Sequence, residues 1–112
     1  MKLQTKFLMT LLGAIFTLQV FAQKTQKATF KVWGNCSMCK KNIEDAAKTP
    51  GVSKAEWNKK TNMITVVYQP SKVKQADIEK KIAEAGYDTE KFKGDDKAYQ
   101  ALDECCQYDR KG

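Results

Sequence analysis

The 112-residue chain has no histidine, only two prolines and a single arginine. Without histidine, the His-based dyads and triads that activate a catalytic nucleophile are excluded. No paired-carboxylate or phosphate-loop motif is present in their place. Lysines are scattered along the chain and arginine is nearly absent, which is unlike the clustered basic surface of a nucleic-acid-binding protein. We therefore expect a protein that is not an enzyme and does not bind nucleic acid.

The first residues, 1–22, are predicted to be a secretory signal peptide rather than part of the fold. Lys2 and Lys6 supply a positive start, and a mostly apolar stretch follows at 7–21. This stretch is about 15 residues long, whereas a membrane span takes about 20 predominantly apolar residues. Cleavage after Ala22 would give a periplasmic or secreted protein with no stable membrane insertion. A retained anchor is the alternative.

The remaining 90 residues suit one compact domain. The whole chain has a formal net charge of +7. Its excess of lysine lies between Gln23 and Tyr87, while the segment from Asp88 onward is slightly acidic. The lysines are either ordinary solubilising residues or a docking surface for an acidic protein partner.

Hydrophobic periodicity predicts six elements in the order strand, helix, strand, strand, helix, strand. Alternating residues indicate strands at 28–33, at 55–57 and 63–68 as a hairpin, and at about 87–92. Helical spacing begins near Met38 and again around Ile78, Ile82 and Ala85. This order predicts an α+β, ferredoxin-like βαββαβ sandwich with both helices on one face of the sheet. The predicted core comprises Phe30, Val32, Ile43, Trp57, Ile64, Val66, Tyr68, Ile78 and Ile82.

The chain changes character beyond Gly94. Asp95 is placed to cap a short helix that would run through Ala98, Leu102 and Cys105. This C-terminal tail lies outside the six predicted elements.

Four cysteines occur as two close pairs, Cys36 with Cys39 and Cys105 with Cys106. Disulfides within either pair would close very short loops and would constrain the unfolded chain little. A disulfide between adjacent residues is also strained. If disulfides form, links between the first pair and the second would stabilise the fold most.

The Cys36-Ser37-Met38-Cys39 segment lies where the first strand passes into the first helix. Unpaired N–H groups and the positive end of the helix dipole favour thiolates there. Two converging thiolates suit Cu(I), a soft ion that needs few ligands, whereas zinc usually takes four. The same spacing also occurs in redox proteins, so the motif alone leaves both functions open.

Several landmarks accompany the two cysteines at fixed spacing. They are Gly34 to Cys39, Ile43 to Ala46, Pro50 to Val52, Tyr68, Ile78, Ile82, Gly86 and Tyr87. With these residues the chain resembles, over roughly Ala28 to Glu90, the heavy-metal-associated domain found in copper chaperones, in metal-pumping ATPases and in the periplasmic mercury-binding protein.

The resemblance implies that Cys36 and Cys39 are metal ligands and that Tyr87 lies beside them. It divides the chain into a signal peptide (1–22), a heavy-metal-associated domain (23–93) and a cysteine-containing tail (94–112). One departure concerns Gly34, where the family usually has a core methionine, so the loop is expected to be more mobile or differently packed. Met38 is expected to face solvent, with a thioether ligand as the alternative.

Cys105 and Cys106 are not explained by the family pattern. They are candidates for two further metal ligands, for a resolving disulfide, or for residues outside any shared site. The favoured function is a metallochaperone or scavenger that binds Cu(I), with Hg(II) or Zn(II) as alternative ions. A metal-transporting ATPase or another cuproprotein is the expected partner. A thiol–disulfide oxidoreductase and a disulfide-stapled structural module are the competing hypotheses.

Overall fold

The computed structural model of the protein describes residues 24–112. The predicted signal peptide, 1–22, lies outside the described residues. The elements in chain order are β1 (Gln26–Lys31), α1 (Ser37–Ala47), β2 (Val52–Trp57), β3 (Met63–Tyr68), α2 (Gln75–Glu84), α3 (Asp96–Gln100) and a 3₁₀ turn (Glu104–Cys106). Among these residues, no helix has the length and apolar character needed to cross a bilayer.

The three strands form an antiparallel sheet in the order β1-β3-β2. On the central strand, Ile64, Val66 and Tyr68 are buried and the residues between them are partly exposed. This is the two-residue period of a strand with one covered face. Phe30 and Trp57 lie opposite Ile64 in the two neighbouring strands, so the sheet presents one continuous apolar face.

The two main helices cover that face. α1 buries Cys39, Ile43 and Ala47, and α2 buries Ile78 and Ile82 among others. These spacings of three or four residues place the side chains on one side of each helix. Every residue of the predicted core is buried, and all belong to one apolar cluster. The predicted α+β, ferredoxin-like arrangement is therefore confirmed.

The prediction of a last strand at about 87–92 is wrong, because these residues form no regular strand. Only an isolated bridge between Val32 and Thr89 is present there. The chain forms a local turn instead, in which the Thr89 N–H donates to the Phe92 carbonyl at 2.8 Å. In addition, the Lys31 N–H donates to the carboxylate of Glu90 at 3.0 Å. Local turn bonds and a side chain thus replace the ladder that a fourth strand needs.

The predicted tail helix is confirmed at its start and corrected at its end. The Asp95 side chain accepts the Ala98 N–H at 2.9 Å, as a capping residue should. The helix nevertheless ends at Gln100, and a separate 3₁₀ turn begins at Glu104. After this break, Cys105 is exposed and Cys106 is buried.

Candidate metal centre

Cys36 and Cys39 lie at the junction between β1 and α1. The Cys36 carbonyl accepts the Lys40 N–H at 3.1 Å and so begins the helix. The Cys36 backbone is extended, and Ser37 is the first helical residue. The first turn of a helix has N–H groups without intrahelical partners. The two Sγ atoms lie 3.5 Å apart beside this turn.

The tail brings a third sulfur to this pair. The Cys106 Sγ lies 3.6 Å from the Cys36 Sγ. The sulfurs of Cys36, Cys39 and Cys106 all lie within 4.8 Å of one another. Cys39 and Cys106 are fully buried, and Cys36 is half-buried. Three thiol sulfurs are therefore available to one soft cation.

Cys105 lies outside this group of three sulfurs. It is exposed, and its Sγ is 3.9 Å from the Cys106 Sγ. Its thiol also points to the Sδ of Met38, at 3.9 Å. Met38 is 45% exposed, which agrees with its expected position facing solvent. All four cysteines are free thiols, so none of the disulfide pairings considered from the sequence is present in the structure.

The environment of Cys36 favours its thiolate. Desolvation opposes ionisation, but the Cys39 backbone N–H and the neighbouring thiols of Cys39, Cys106 and Cys105 favour the ionised form. Together they lower the pKa of Cys36 to about 7.

The pKa values of Cys106 and Cys105 shift in the opposite direction, upward. Burial raises the pKa of Cys106 far above its ordinary value, and the neighbouring sulfurs of Cys39 and Cys36 raise it further. The hydrogen bond to Cys36 raises the pKa of Cys105. Of these two residues, Cys106 lies 3.6 Å from the Cys36 sulfur, whereas the Cys105 thiol is directed at the Sδ of Met38.

Trp57 fills the space beneath residues 34–39, the metal loop. A Cβ atom at Gly34 would lie 3.0 Å from the Trp57 ring and 3.1 Å from Ile43 Cδ1. The indole N–H donates to the Val32 carbonyl at 3.0 Å, which fixes the ring below the loop. The loop at Gly34 was expected to be either more mobile or packed differently from the family's usual arrangement. The structure shows the second, a different packing.

Tyr87 lies beside the cluster, as the resemblance implies. Its hydroxyl accepts a hydrogen bond from the Asn42 side-chain amide at 3.0 Å. Burial raises the pKa of Tyr87, and the nearby Cys39 and Cys106 sulfurs contribute to this increase. The Tyr87 ring stacks on Tyr108 of the tail, with ring centroids 5.5 Å apart and planes inclined by 15°.

The tail is held to the domain by buried polar contacts. The Tyr108 hydroxyl accepts the Asp88 N–H and donates to the Gly86 carbonyl, both at 2.7 Å. Arg110 binds the fully buried Asp88 carboxylate through two nitrogens, at 2.8 and 3.3 Å. These contacts fix the chain immediately after Cys106.

Sequence reasoning missed several residues that support the cluster. The Asn35 Oδ1 accepts the Cys39 thiol at 3.0 Å. Glu44 pairs with Lys40 and also accepts the Trp57 backbone N–H at 2.8 Å. For Arg110 the sequence held one clue, because this residue is the only arginine in a lysine-rich chain. Arginine is the residue suited to bidentate contacts with a carboxylate.

Comparison with known proteins relates this site to metal-binding proteins. Residues 29–88 match the family described as "Heavy-metal-associated domain". The copper chaperone CopZ of Staphylococcus epidermidis is 44% identical over 66 residues, which cover 57% of this chain and 96% of that protein. The match to the family includes Cys36 and Cys39 and ends before Cys105 and Cys106.

Solved structures show the same relationship. Oxidized MerP from Ralstonia metallidurans has 32% identity and a TM-score of 0.56, over 59% of this chain and 94% of that one. The Cu(I)-loaded N-terminal domain of a potential copper-translocating P-type ATPase from Bacillus subtilis has 31% identity and a TM-score of 0.56, over 59% and 85%. The chain therefore belongs to the heavy-metal-associated domain family.

Proposed function

We propose that this protein is an exported metallochaperone or scavenger that binds Cu(I) through the thiolates of Cys36 and Cys39. The observation that carries the proposal is the pair of sulfurs 3.5 Å apart at the start of α1. Thiolate is the form that ligates metal, and the pKa of Cys36 of about 7 provides it near neutral pH. Soft sulfur ligands select soft ions such as Cu(I).

The similarity to copper chaperone CopZ and to a domain of a copper-translocating ATPase supports copper as the cargo. By the same similarity, the proposed partner is a metal-transporting ATPase or another cuproprotein. Transfer would occur by thiolate exchange, in which a partner sulfur binds the ion before a sulfur of this chain leaves. The role is non-catalytic, because the protein carries the ion and transforms no substrate.

Export is proposed from the sequence at 1–22. Intact mass measurement of the protein recovered from the periplasm or medium should place the mature N-terminus at Gln23. A full-length mass in the membrane fraction would support the retained anchor instead.

Metal binding is tested by anaerobic titration of the reduced protein with Cu(I) against a chromogenic chelator. We expect one Cu(I) per chain, and loss of retention in the Cys36→Ser and Cys39→Ser variants. Ser53→Ala, which removes a hydroxyl from β2, serves as the surface control. Parallel titrations with Hg(II) and Zn(II) establish the preferred ion.

A disulfide reductase assay tests the competing redox function. The proposed carrier should show only slow, uncatalysed thiol exchange. Failure of the reduced wild-type protein to retain Cu(I), together with catalytic turnover in the reductase assay, would overturn the proposal.

A further inference from the structure

We propose that Cys106 is a third ligand, so that the cargo ion is bound by three thiolates in a site closed by the C-terminal tail, with the Cys106 thiol releasing its proton to solvent as it binds the ion. This inference rests on the proposed function, because it concerns the same ion. Its basis is the group of three sulfurs from Cys36, Cys39 and Cys106, all within 4.8 Å of one another. Cys106 lies outside the part of the chain that matches the family, residues 29–88.

The sulfur separations fit three-coordination better than two. With a metal–sulfur bond of about 2.3 Å, two sulfurs in a linear arrangement lie about 4.6 Å apart, and three in a trigonal arrangement lie about 4.0 Å apart. In the structure the sulfurs are 3.5 Å apart for Cys36–Cys39 and 3.6 Å apart for Cys36–Cys106. A small expansion of the cluster therefore gives the trigonal spacing, while a linear site requires a larger one.

The buried position of Cys106 also indicates a built ligand. Its thiol is fully buried and directed at the other two sulfurs, whereas the adjacent Cys105 is exposed. A free cysteine often fills a core as a small apolar residue. Cys106 instead lies 3.6 Å from the Cys36 sulfur, within a group of three sulfurs that one metal ion can bind together.

The tail is anchored strongly enough to hold this ligand in place. Tyr108 stacks on Tyr87 and its hydroxyl bonds to the backbone of Gly86 and Asp88. Arg110 adds the two-nitrogen contact to the buried Asp88 carboxylate. Both anchors lie within four residues of Cys106, so they restrict where its sulfur can go.

A closed three-thiolate site has a consequence for transfer. In a two-coordinate site, an incoming thiolate finds a third position open on the ion. Here Cys106 occupies that position, so a partner sulfur must displace it before transfer proceeds. The tail therefore favours retention of the ion. Release of Cys106 from the ion controls the rate of transfer to the partner.

The coordination number tests the inference directly. Cu(I) is added anaerobically at one equivalent per chain to the wild-type protein and to the Cys106→Ser and Cys105→Ser variants. X-ray absorption spectra then give the number of sulfurs around copper. We expect three in the wild type and in Cys105→Ser, and two in Cys106→Ser. Two sulfurs in the wild type would overturn the inference.

Affinity and release provide a second readout. Cys106→Ser and the double variant of both tail cysteines should bind Cu(I) at least about tenfold more weakly without losing it, since even supporting contacts cost this much at metal sites. Both should also release Cu(I) faster to a two-thiol acceptor peptide. Cys105→Ser is the matched control and should resemble the wild type. Circular dichroism and thermal unfolding establish that each variant is folded.

A tail variant that keeps all four thiols separates ligand loss from loss of closure. Arg110→Gln removes the charged contact with Asp88 and should speed release while the sulfur number stays at three. If Cys106→Ser binds and releases Cu(I) as the wild type does, the tail is not part of the site, although the proposed function stands. If the wild-type protein retains no Cu(I), the proposed function itself fails. A Cys36–Cys106 disulfide that persists under the reducing conditions of the titration would assign the tail to redox chemistry.

Discussion

The indole ring of Trp57 lies 3.0 Å from the point where a side chain at Gly34 would begin. The two residues belong to different parts of the chain, the metal loop and the end of β2. The glycine leaves room for the largest side chain of the core, and the ring in turn supports the loop through its hydrogen bond to Val32. Together they replace the core methionine expected at Gly34 from the family resemblance.

Gly34→Met should destabilise the fold by about 1–3 kcal/mol, because the added side chain competes with the indole for one space. Urea unfolding of the reduced, metal-free protein measures the effect. Gly34→Ala should destabilise less. In a double-mutant cycle, the cost of Gly34→Met should be smaller when Trp57 is replaced by Ala, since the ring is then absent. Equal costs in both backgrounds would show that the two side chains do not compete.

Asp88 should make stability depend on pH. Burial opposes its ionisation, but hydrogen bonds from Arg110, Gly94 and Lys111 outweigh this and lower the pKa of Asp88 below the ordinary 3.8. A carboxylate with a lowered pKa stabilises the fold at neutral pH, and this contribution is lost as pH falls below 3.8 through the lowered value.

Asp88→Asn should therefore lower the free energy of unfolding at pH 7 by about 1–3 kcal/mol. The difference from the wild type should shrink as the solution is acidified below pH 4. Urea unfolding at several pH values measures both. Asp45→Asn is a suitable control, since its pair with Lys41 is exposed. A gap between wild type and Asp88→Asn that stayed constant down to the lowest pH would contradict the argument.

Cys36 should be the most readily alkylated thiol of the reduced, metal-free protein near neutral pH. Its pKa of about 7 means that roughly half of it is thiolate at pH 7, and the thiolate is the reacting form. Iodoacetamide labelling followed by peptide mass analysis should give a rate with a midpoint near that pH. Cys105, whose pKa is raised, should react at higher pH although it is exposed. Preferential labelling of Cys105 at pH 7 would be inconsistent with this assignment.

Gly86→Ala should loosen the tail. Gly86 has a φ of +102°, which side chains rarely adopt, and an added Cβ would lie 2.8 Å from the Tyr99 backbone nitrogen. We expect a loss of at least about 1 kcal/mol in stability, as is usual for a strained backbone position. Limited proteolysis should cut the tail faster in this variant. Gly112→Ala, at a position with open space around it, provides the comparison.

Local patterns in the sequence were sufficient for the elements that form by local rules. The alternation around Phe30 and Ile64 predicted strands, and the spacing of Ile78, Ile82 and Ala85 predicted a helix. The last strand was predicted from the same kind of pattern and failed. Its alternation could not reveal that a turn at Thr89 and the carboxylate of Glu90 would take the hydrogen bonds a ladder needs.

Contacts between distant parts of the chain were beyond this reasoning. Cys106 reaches Cys36 across 70 positions, and Arg110 reaches Asp88 across 22. No periodicity specifies such pairs, because they depend on the direction in which the tail leaves Gly94 and on the break after Gln100. The family resemblance also ends before the tail. The sequence therefore left three alternatives open for Cys105 and Cys106, and only the fold shows that the Cys106 sulfur lies beside that of Cys36.

Both outer strands of the sheet end with a backbone N–H bound by a carboxylate of the same molecule. Lys31 of β1 donates to Glu90, and Trp57 of β2 donates to Glu44. Exposed strand edges are templates for pairing with another chain, and proteins commonly block them. Here a second molecule could add a strand at either position only by displacing a charged side chain. The two carboxylates therefore oppose edge-to-edge pairing of this sheet with another chain at these two points.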